Sequence, residues 1–334
     1  MKKSELIIST VLDGDEVDDR TDAGLDVEVR TLSFGVAQHG LRLDLALVDL
    51  VPEFSRSYLQ QLIALGAVTI EGAAARKTSV RIKASNIGQI ELRPTPQSQA
   101  FRPESMALDV VYEDEHLLVI NKPAGLVVHP APGNWSGTLL NGLLARDPQA
   151  MTMPRAGIVH RLDKDTSGLM VVARTRQTMD ALVRLIAARE VSRQYVALAH
   201  RPWVGSRHKE VNAPIGRDPR NRMRMAVVDL SRDPGKLART DIDLIQNCDT
   251  GCLVRCTLHT GRTHQIRVHM ASIGHSLVAD ELYGGSVTGD MRRQALHAVR
   301  LAFSHPVSAK EMEFETALPD DFKAALQLWG LSYN

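Results

Sequence analysis

Apolar positions in the first third of the chain recur at helical spacing. Leu43, Ala46, Leu47 and Leu50 lie three or four residues apart, and Pro52 follows them. This spacing places the four side chains on one face of a helix, and proline cannot continue that helix. The pattern therefore predicts a helix that begins near residue 41 and ends before Pro52.

A second helix and several short strands follow. Ser55 can cap a helix that runs to about Leu65, where Gly66 ends it. Residues 68–70 and the stretch to Leu92 have the short apolar runs and turn residues of strands. These elements predict a small α+β domain over residues 41–93. Three prolines among polar residues then predict a linker over residues 94–105.

Beyond residue 106 the pattern is dominated by strands. Apolar runs typical of strands cover residues 116–121, 168–173, 191–199, 241–245 and 253–258. Apolar positions at helical spacing follow Thr175, and a further helix is expected over residues 264–273. Strand after strand with occasional helices predicts an α+β fold with a mixed, largely antiparallel sheet over residues 106–334.

Charged residues are distributed unevenly along the chain. Residues 1–33 hold nine acidic and four basic side chains, a net charge of −5, so the formal net charge of +1 leaves +6 for the remainder. We expect residues 1–40 to form an acidic disordered arm. The mildly basic remainder is compatible with a polyanionic partner. No run approaches the roughly 20 apolar residues of a membrane helix, so no membrane partner is expected.

The three cysteines and the clustered histidines are the candidates for a metal site. An odd number of cysteines in a long chain favours a reducing cytoplasm over a disulfide framework. Cys248, Cys252 and Cys256 have no fourth ligand at zinc spacing. His264 and His269 are five residues apart, which turns their side chains away from each other on a helix. We therefore expect no metal.

The densest polar segment between two apolar strands is His160 to Gly168. Its Asp163 could act as a nucleophile, a metal ligand, a general base or a turn former. The aspartyl phosphohydrolase pattern fails at Ser167, and the aspartic protease triplet fails because Asp165 is followed by one residue too many. The segment alone does not decide among these roles.

A longer comparison of motifs does decide. The run His160-Arg161-Leu162-Asp163-Lys164-Asp165-Thr166-Ser167-Gly168-Leu169 closely resembles the signature of the RluA/RluD family of RNA pseudouridine synthases. Further motifs of that family are matched, in order, by residues 112–130, 193–195, 260–270, 275–284 and 297–306. Residues 41–92 resemble the S4 RNA-binding domain. The resemblance covers about nine-tenths of the chain, everything except the acidic arm.

The resemblance implies three catalytic residues and no cofactor. Asp163 is implied to be the nucleophile, which either adds to the ribose or takes a ribose proton. Arg267 is implied to pair with Asp163 and keep it ionised, and Tyr195 to stack on the target uracil. The reaction detaches uracil, turns it and rejoins it through C5, which requires neither metal nor redox cofactor.

RNA contacts are expected in both domains. In the catalytic domain we expect them from Arg161, implied to fill the gap left by the flipped nucleotide, and from Lys122, Arg262 and His264. In the S4-like domain the candidates belong to a modest excess of basic side chains, and they are Arg42, Arg56 and Lys77.

The expected substrate is large-subunit (23S) ribosomal RNA or a ribosomal precursor particle, and a monomer is expected. The S4-like domain favours ribosomal RNA over transfer RNA or another RNA, which remain alternatives. A catalytically inactive RNA-binding protein and an Asp-dependent phosphohydrolase are the more distant alternatives. The presence of Asp163, Tyr195 and Arg267 argues against the first, and the lack of a paired-acid motif for magnesium argues against the second.

Overall fold

The computed structural model describes residues 28–97, 99–221 and 223–333. The chain divides into two compact units, and the boundary between them along the sequence lies between Thr95 and Pro96. Within the described residues, no helix combines the length and apolar character needed to cross a bilayer.

The first unit is a four-stranded sheet with two helices. Its elements are β1 Glu28–Ser33, α1 Leu43–Leu50, α2 Arg56–Ala64, β2 Val68–Ile70, β3 Ala73–Ala74 and β4 Ile87–Leu92. The strands are antiparallel, in the order β1-β4-β2-β3. Ser55 caps α2 by accepting a hydrogen bond from the Tyr58 amide, 3.3 Å away. Both helices predicted from the apolar spacing are confirmed.

The prediction of a disordered arm through residue 40 is wrong for residues 28–40. β1 pairs with β4 along its whole length, from Glu28 opposite Leu92 to Ser33 opposite Ile87. Leu32 in β1 and Phe34 directly after it are buried in the core of this unit, although an acidic stretch precedes them in the sequence. The unit therefore includes residues before position 41. Residues 1–27 of the predicted arm lie outside the described residues.

A buried carboxylate joins the two helices of this unit. Asp44 on α1 is fully buried, and it accepts hydrogen bonds from Arg42, Arg56 and Gln60. Burial raises the pKa of Asp44, but these three donors outweigh burial and hold the pKa well below its usual range. Because two of the donors lie on α2, the charge of Asp44 ties α1 to α2.

The second unit contains the remaining elements. They are β5 Val110–Glu113, β6 Leu117–Lys122, α3 Leu139–Arg146, β7 Ser167–Ala173, α4 Arg176–Ala188, β8 Ser192–His200, β9 His208–Asn212, β10 Ile215–Arg217, β11 Met225–Val227, β12 Gly235–Lys236, β13 Arg239–Asn247, β14 Gly251–Leu258, α5 Gln265–Ser272, β15 Leu296–Ser304, β16 Glu311–Glu315 and α6 Asp320–Leu328.

Nine of these strands form one large sheet. Its order is β5-β6-β7-β15-β8-β14-β13-β9, and β16 pairs with β15. Of the strand pairs in the described residues, β7 with β15 is parallel and the others are antiparallel. The predicted α+β fold with a mixed, largely antiparallel sheet is confirmed. Strands β10, β11 and β12 form a separate small sheet.

Helices cover both faces of the large sheet. Along β7, Met170 and Val172 pack in the cluster that contains α3 and α5, whereas Leu169 and Val171 pack on the opposite side with α4. Tyr195 of β8 lies on the same side as Met170. This alternation follows from the period of two in a strand, and it places Tyr195 on the side of the sheet that carries α5.

Part of the predicted linker is fixed to the second unit. The buried Asn141 of α3 donates hydrogen bonds to the carbonyls of Ala100 and Arg102, and its own carbonyl accepts from Glu104. The prediction of a linker over residues 94–105 is therefore wrong for its second half. Three prolines predict a loop, but they do not show whether a side chain from elsewhere in the chain forms hydrogen bonds with the backbone of that loop.

We expect Asp44→Asn to destabilise the first unit. The uncharged amide loses the charge-assisted bonds, so near pH 7 the local free energy of unfolding should fall by about 1–2 kcal/mol. Because the pKa of Asp44 is lowered in the folded state, its contribution is lost as the pH falls below its ordinary value of 3.8. The difference between the variant and wild type should therefore shrink at lower pH. Hydrogen exchange of amides in α1 and α2 measures it.

The exposed Glu91→Gln is the matched control. Glu91 faces Arg93 at 3.5 Å, and both side chains are more than a third exposed. The control should change the same amides by no more than about 0.5 kcal/mol. An equal effect of the two variants would contradict the role given to Asp44.

Candidate active site

The polar segment of residues 159–166, here called the catalytic loop, enters β7 of the large sheet. Leu162 is buried, Arg161 is exposed, and the Asp163 carboxylate between Leu162 and the turn is 18% exposed. His160 Nε2 accepts a hydrogen bond from the Val171 amide at 3.1 Å. The loop is thus attached to the sheet through His160 and Leu162, while Asp163 reaches solvent.

Residues just before and within β15 hold the end of the catalytic loop. Arg293 donates to the Asp165 carbonyl at 3.0 Å, and Ser167 Oγ lies 2.9 Å from His297 Nδ1. Gly168 has a φ of +115°, and a Cβ there would lie 2.3 Å from the Ala298 carbonyl oxygen. A side chain at position 168 would therefore push β7 and β15 apart.

Lys122 holds the other side of the loop from inside the protein. Its side chain is 1% exposed, and its ammonium donates to the carbonyls of Pro123, Leu126 and Lys164 at 2.7, 2.9 and 2.9 Å. The prediction that Lys122 contacts RNA is therefore wrong, because all three of its protons are used inside the protein. Lysine is usually exposed, and its sequence context gave no sign of this burial.

Asp163 pairs with Arg267, which is itself held by a second carboxylate. Arg267 on α5 donates from Nε and Nη2 to the two oxygens of the buried Asp280, each at 2.7 Å, and from Nη1 to Asp163 Oδ2 at 3.3 Å. Burial lowers the pKa of Arg267, but the bonds and charges of Asp280 and Asp163 outweigh it and raise the pKa above the usual arginine value. The guanidinium therefore remains a permanent cation beside Asp163.

Asp280 was not predicted as a site residue. It lies 13 residues after Arg267 and has no recognisable spacing to the other acids. The family resemblance over residues 275–284 includes it, and that was the signal that could have identified it.

Tyr283 completes the surroundings of Arg267. The guanidinium lies over the Tyr283 ring, 5.0 Å from its centroid, and the Tyr283 hydroxyl is 2.8 Å from His264 Nδ1. His264 has a φ of +57° and precedes α5. Burial lowers the pKa of His264, so its neutral form is favoured. The predicted RNA contact His264 therefore lines the site and also holds Tyr283 under Arg267.

Tyr195 and Asp163 face the same pocket, which has a volume of about 880 Å³. Tyr195 is 5% exposed, and burial raises its pKa to about 12. Its phenol is therefore protonated at neutral pH and can act as a flat apolar surface or a proton donor. Arg267 lies in the same lining, so the structure brings together the three residues predicted to be catalytic.

The predicted RNA contacts fall in two places. Arg161, Arg262 and His264 line the pocket, with Arg161 exposed and Arg262 donating to the Leu237 carbonyl at 3.0 Å. The others, Arg42, Arg56 and Lys77, belong to the first unit. Since Arg42 and Arg56 hold Asp44, Lys77 is the one of these three that is exposed without a carboxylate partner among the described residues.

His264 and His269, which were considered for a metal, and the neighbouring His259 have separate partners. His259 Nε2 lies 2.7 Å from Asp241, and the two ring nitrogens of His269 contact Thr240 Oγ1 and the Ala213 carbonyl. His264 contacts Tyr283 instead. The structure therefore places their ring nitrogens in different hydrogen bonds.

Known proteins resemble the chain over this whole region. The model of the RNA pseudouridylate synthase family matches residues 116–272. Ribosomal large subunit pseudouridine synthase D of Neisseria meningitidis serogroup B is 47% identical over 295 residues, which are 84% of this chain and 77% of that protein. The protein of the same name from Nitrosomonas europaea is 44% identical over 321 residues, 92% and 91% of the two chains.

A solved structure is similar as well. Human RNA pseudouridylate synthase domain containing 1 has a TM-score of 0.52 and 28% identity, and the match covers 68% of this chain and 90% of that one.

We expect Lys122→Met to destabilise the second unit in a pH-dependent way. Burial lowers the pKa of Lys122 from the ordinary 10.5 to about 7, so the folded chain holds this proton less tightly than the unfolded chain. The stability that wild type gains over the variant should therefore increase as the pH rises from about 6 to about 9. Urea unfolding can be followed by tryptophan fluorescence, because all three tryptophans lie beyond residue 95.

Lys164→Met is the control, since that side chain is exposed in the same loop. Its stability relative to wild type should not change with pH over this range. A difference between wild type and Lys122→Met that stays constant with pH would contradict the prediction.

Proposed function

The chain belongs to the family of RNA pseudouridylate synthases, and from this premise we propose that it isomerises particular uridines of large-subunit ribosomal RNA to pseudouridine. The ribosomal substrate is supported by the names of relatives that are 44–47% identical over most of the chain.

The composition of the pocket lining carries the proposal. Six arginines line the pocket, and they are Arg155, Arg161, Arg189, Arg193, Arg262 and Arg267. Asp163 is the one carboxylate among the described lining residues. A polyanion such as RNA is attracted to such a surface, and the single carboxylate is in place to act on the bound nucleotide.

Asp163 is proposed to start the reaction. Either its carboxylate adds to C1′ of the target ribose as the N1–C1′ bond breaks, or it takes a ribose proton so that uracil is eliminated. In both routes the base turns and C5 bonds to C1′, and the C5 proton is lost as N1 gains one, so atoms balance without a redox step. Arg267 is proposed to support both routes, because its permanent positive charge lies beside the Asp163 carboxylate.

Two other residues are proposed to hold the substrate. The Tyr195 ring, buried at the pocket wall, would stack on the uracil and stay protonated at neutral pH. The exposed Arg161, two residues before Asp163, would occupy the space that the target nucleotide leaves when it turns out of the RNA helix. A planar guanidinium can both stack there and bind phosphate.

The first unit is proposed to be an S4-like domain that binds the RNA backbone. Lys77 and Lys83 are exposed, and among the described residues no carboxylate pairs with either. Their charges are therefore available to phosphates, in contrast to those of Arg42 and Arg56, which are shared with Asp44.

We expect Asp163→Asn to lower the single-turnover rate on ribosomal RNA by at least about 1000-fold, because the amide keeps the shape but cannot act as nucleophile or base. RNA affinity should change little. Release of tritium from RNA labelled at uridine C5 measures the rate. Asp165→Asn is the control, since this carboxylate lies in the same loop without an ion pair to Arg267. If Asp163→Asn keeps a rate similar to that of the control, Asp163 is not the nucleophile.

We expect the double variant Lys77→Gln, Lys83→Gln to weaken RNA binding and leave the rate at saturating RNA unchanged. Each lost phosphate contact should reduce the slope of log affinity against log salt by about 0.7–0.9. Filter binding over a series of salt concentrations gives the slope. Lys310→Gln, an exposed lysine of the second unit, is the control. An unchanged slope in the double variant would mean that the first unit does not bind the RNA backbone through these lysines.

A further inference from the structure

Arg193 is a buried cation in the wall of the pocket. It lies on β8, two residues before Tyr195, so the two side chains project from the same face of the strand. Arg193 is 6% exposed, and it belongs to the pocket lining together with Tyr195 and Asp163. Its position is therefore deep in the pocket, unlike that of the exposed Arg161.

The guanidinium of Arg193 has no partner among the described residues. No hydrogen bond or ion pair to it is formed within them, and its Nε is buried without any acceptor. The other buried arginine of the site, Arg267, is held by two carboxylates. A buried charge without a partner lowers stability, so a site that keeps one is prepared for a negatively charged or strongly polar ligand.

The neighbours of Arg193 respond to its charge and leave room for it. Burial and then the charge of Arg193 lower the pKa of His160 to about 3, so no second cation competes at this position. A Cβ on Gly261 would lie 3.0 Å from Arg193 Nη1, which means that the glycine provides space for the guanidinium. The wall thus has room for the cation and does not neutralise it.

We propose that Arg193 binds the carbonyl oxygens of the uracil while the base is detached, and stabilises the negative charge that the base then carries. The inference rests on the proposed function. When the N1–C1′ bond breaks, its electron pair stays with the base, and the charge spreads over N1, O2 and O4. When C5 bonds to C1′, the electrons return to the new bond. A cation that is already oriented acts most strongly on such transient charge.

The position of Arg193 favours the base over a phosphate. The proposed stacking residue Tyr195 is its neighbour on the same face of β8, so the guanidinium would lie beside a uracil that stacks on that ring. A phosphate of the RNA backbone would have to leave the exposed arginines of the rim, Arg161 and Arg189, to reach a side chain that is 94% buried. The uracil is the part of the substrate that enters the pocket.

The test compares Arg193→Gln with wild type on two RNAs that carry uridine or 5-fluorouridine at the target position. Fluorine withdraws electrons and stabilises the uracil anion, so the enzyme's own stabilisation matters less for that substrate. We expect Arg193→Gln to consume uridine about 100-fold more slowly in single turnover, with RNA affinity within about threefold. With 5-fluorouridine the loss should be at least tenfold smaller. Digestion to nucleosides and chromatography measure consumption of the target.

Two results would overturn the proposal. Equal losses on both RNAs would mean that Arg193 does not act on the charge of the base. Weaker RNA binding with an unchanged rate would identify a phosphate contact instead. Arg193→Lys keeps the cation without the planar fork, so it should recover part of the uridine rate, and it carries the comparison if the glutamine variant does not fold. If wild type converts neither RNA, the proposed function fails independently of Arg193.

Discussion

The ion pair between Arg267 and Asp280 is the contact on which the chemistry of the pocket depends. Two bonds of 2.7 Å between a buried guanidinium and a fully buried carboxylate fix the arginine in one orientation. The remaining Nη1 is then directed at Asp163, 3.3 Å away. Without Arg267 the buried charge of Asp280 would be left uncompensated, so loss of Arg267 should also destabilise the fold. Asp163 can therefore reach solvent and still keep an oriented cation beside it, because Asp280 holds that cation in place.

The two buried cations of the pocket differ in their use of charge. Arg267 is paired with the carboxylates of Asp280 and Asp163, so its charge acts on a residue of the protein. Arg193 has no partner among the described residues and lines the cavity, so its charge is available to a ligand there. Tyr195 lies on the same face of β8 as Arg193 and contributes a large apolar ring. This arrangement separates Asp163, proposed to act on the sugar, from the groups proposed to hold the base.

Sequence reasoning predicted the parts of the fold and site that have a local signal. The spacing of Leu43, Ala46 and Leu47 predicted α1, and the motifs around Asp163 and Arg267 predicted residues that meet across 104 positions. It failed where burial decides the role. The sequence does not distinguish Lys122 from a surface lysine, but in the structure its ammonium donates hydrogen bonds to three carbonyls. Leu32 and Phe34 were not recognised as core residues, because two buried side chains after an acidic stretch give too weak a periodicity. Asparagine gives no sequence signal for burial, yet the Asn141 side chain donates hydrogen bonds to the carbonyls of residues 100 and 102.

The parallel pairing of β7 with β15 determines when during synthesis the active site can form. Asp163, Tyr195 and Arg267 all precede β15 in the chain, but the contact between Ser167, directly after the catalytic loop, and His297 joins residues 130 positions apart. Pairings this distant form late, because closing a long loop costs entropy before any contact is gained. A nascent chain that has not yet reached residue 297 contains Asp163, Tyr195 and Arg267 but lacks the strand that lies beside the loop of Asp163. A product that is truncated before β15 would therefore contain these three side chains but lack the strand that pairs with β7, and we expect it to be inactive.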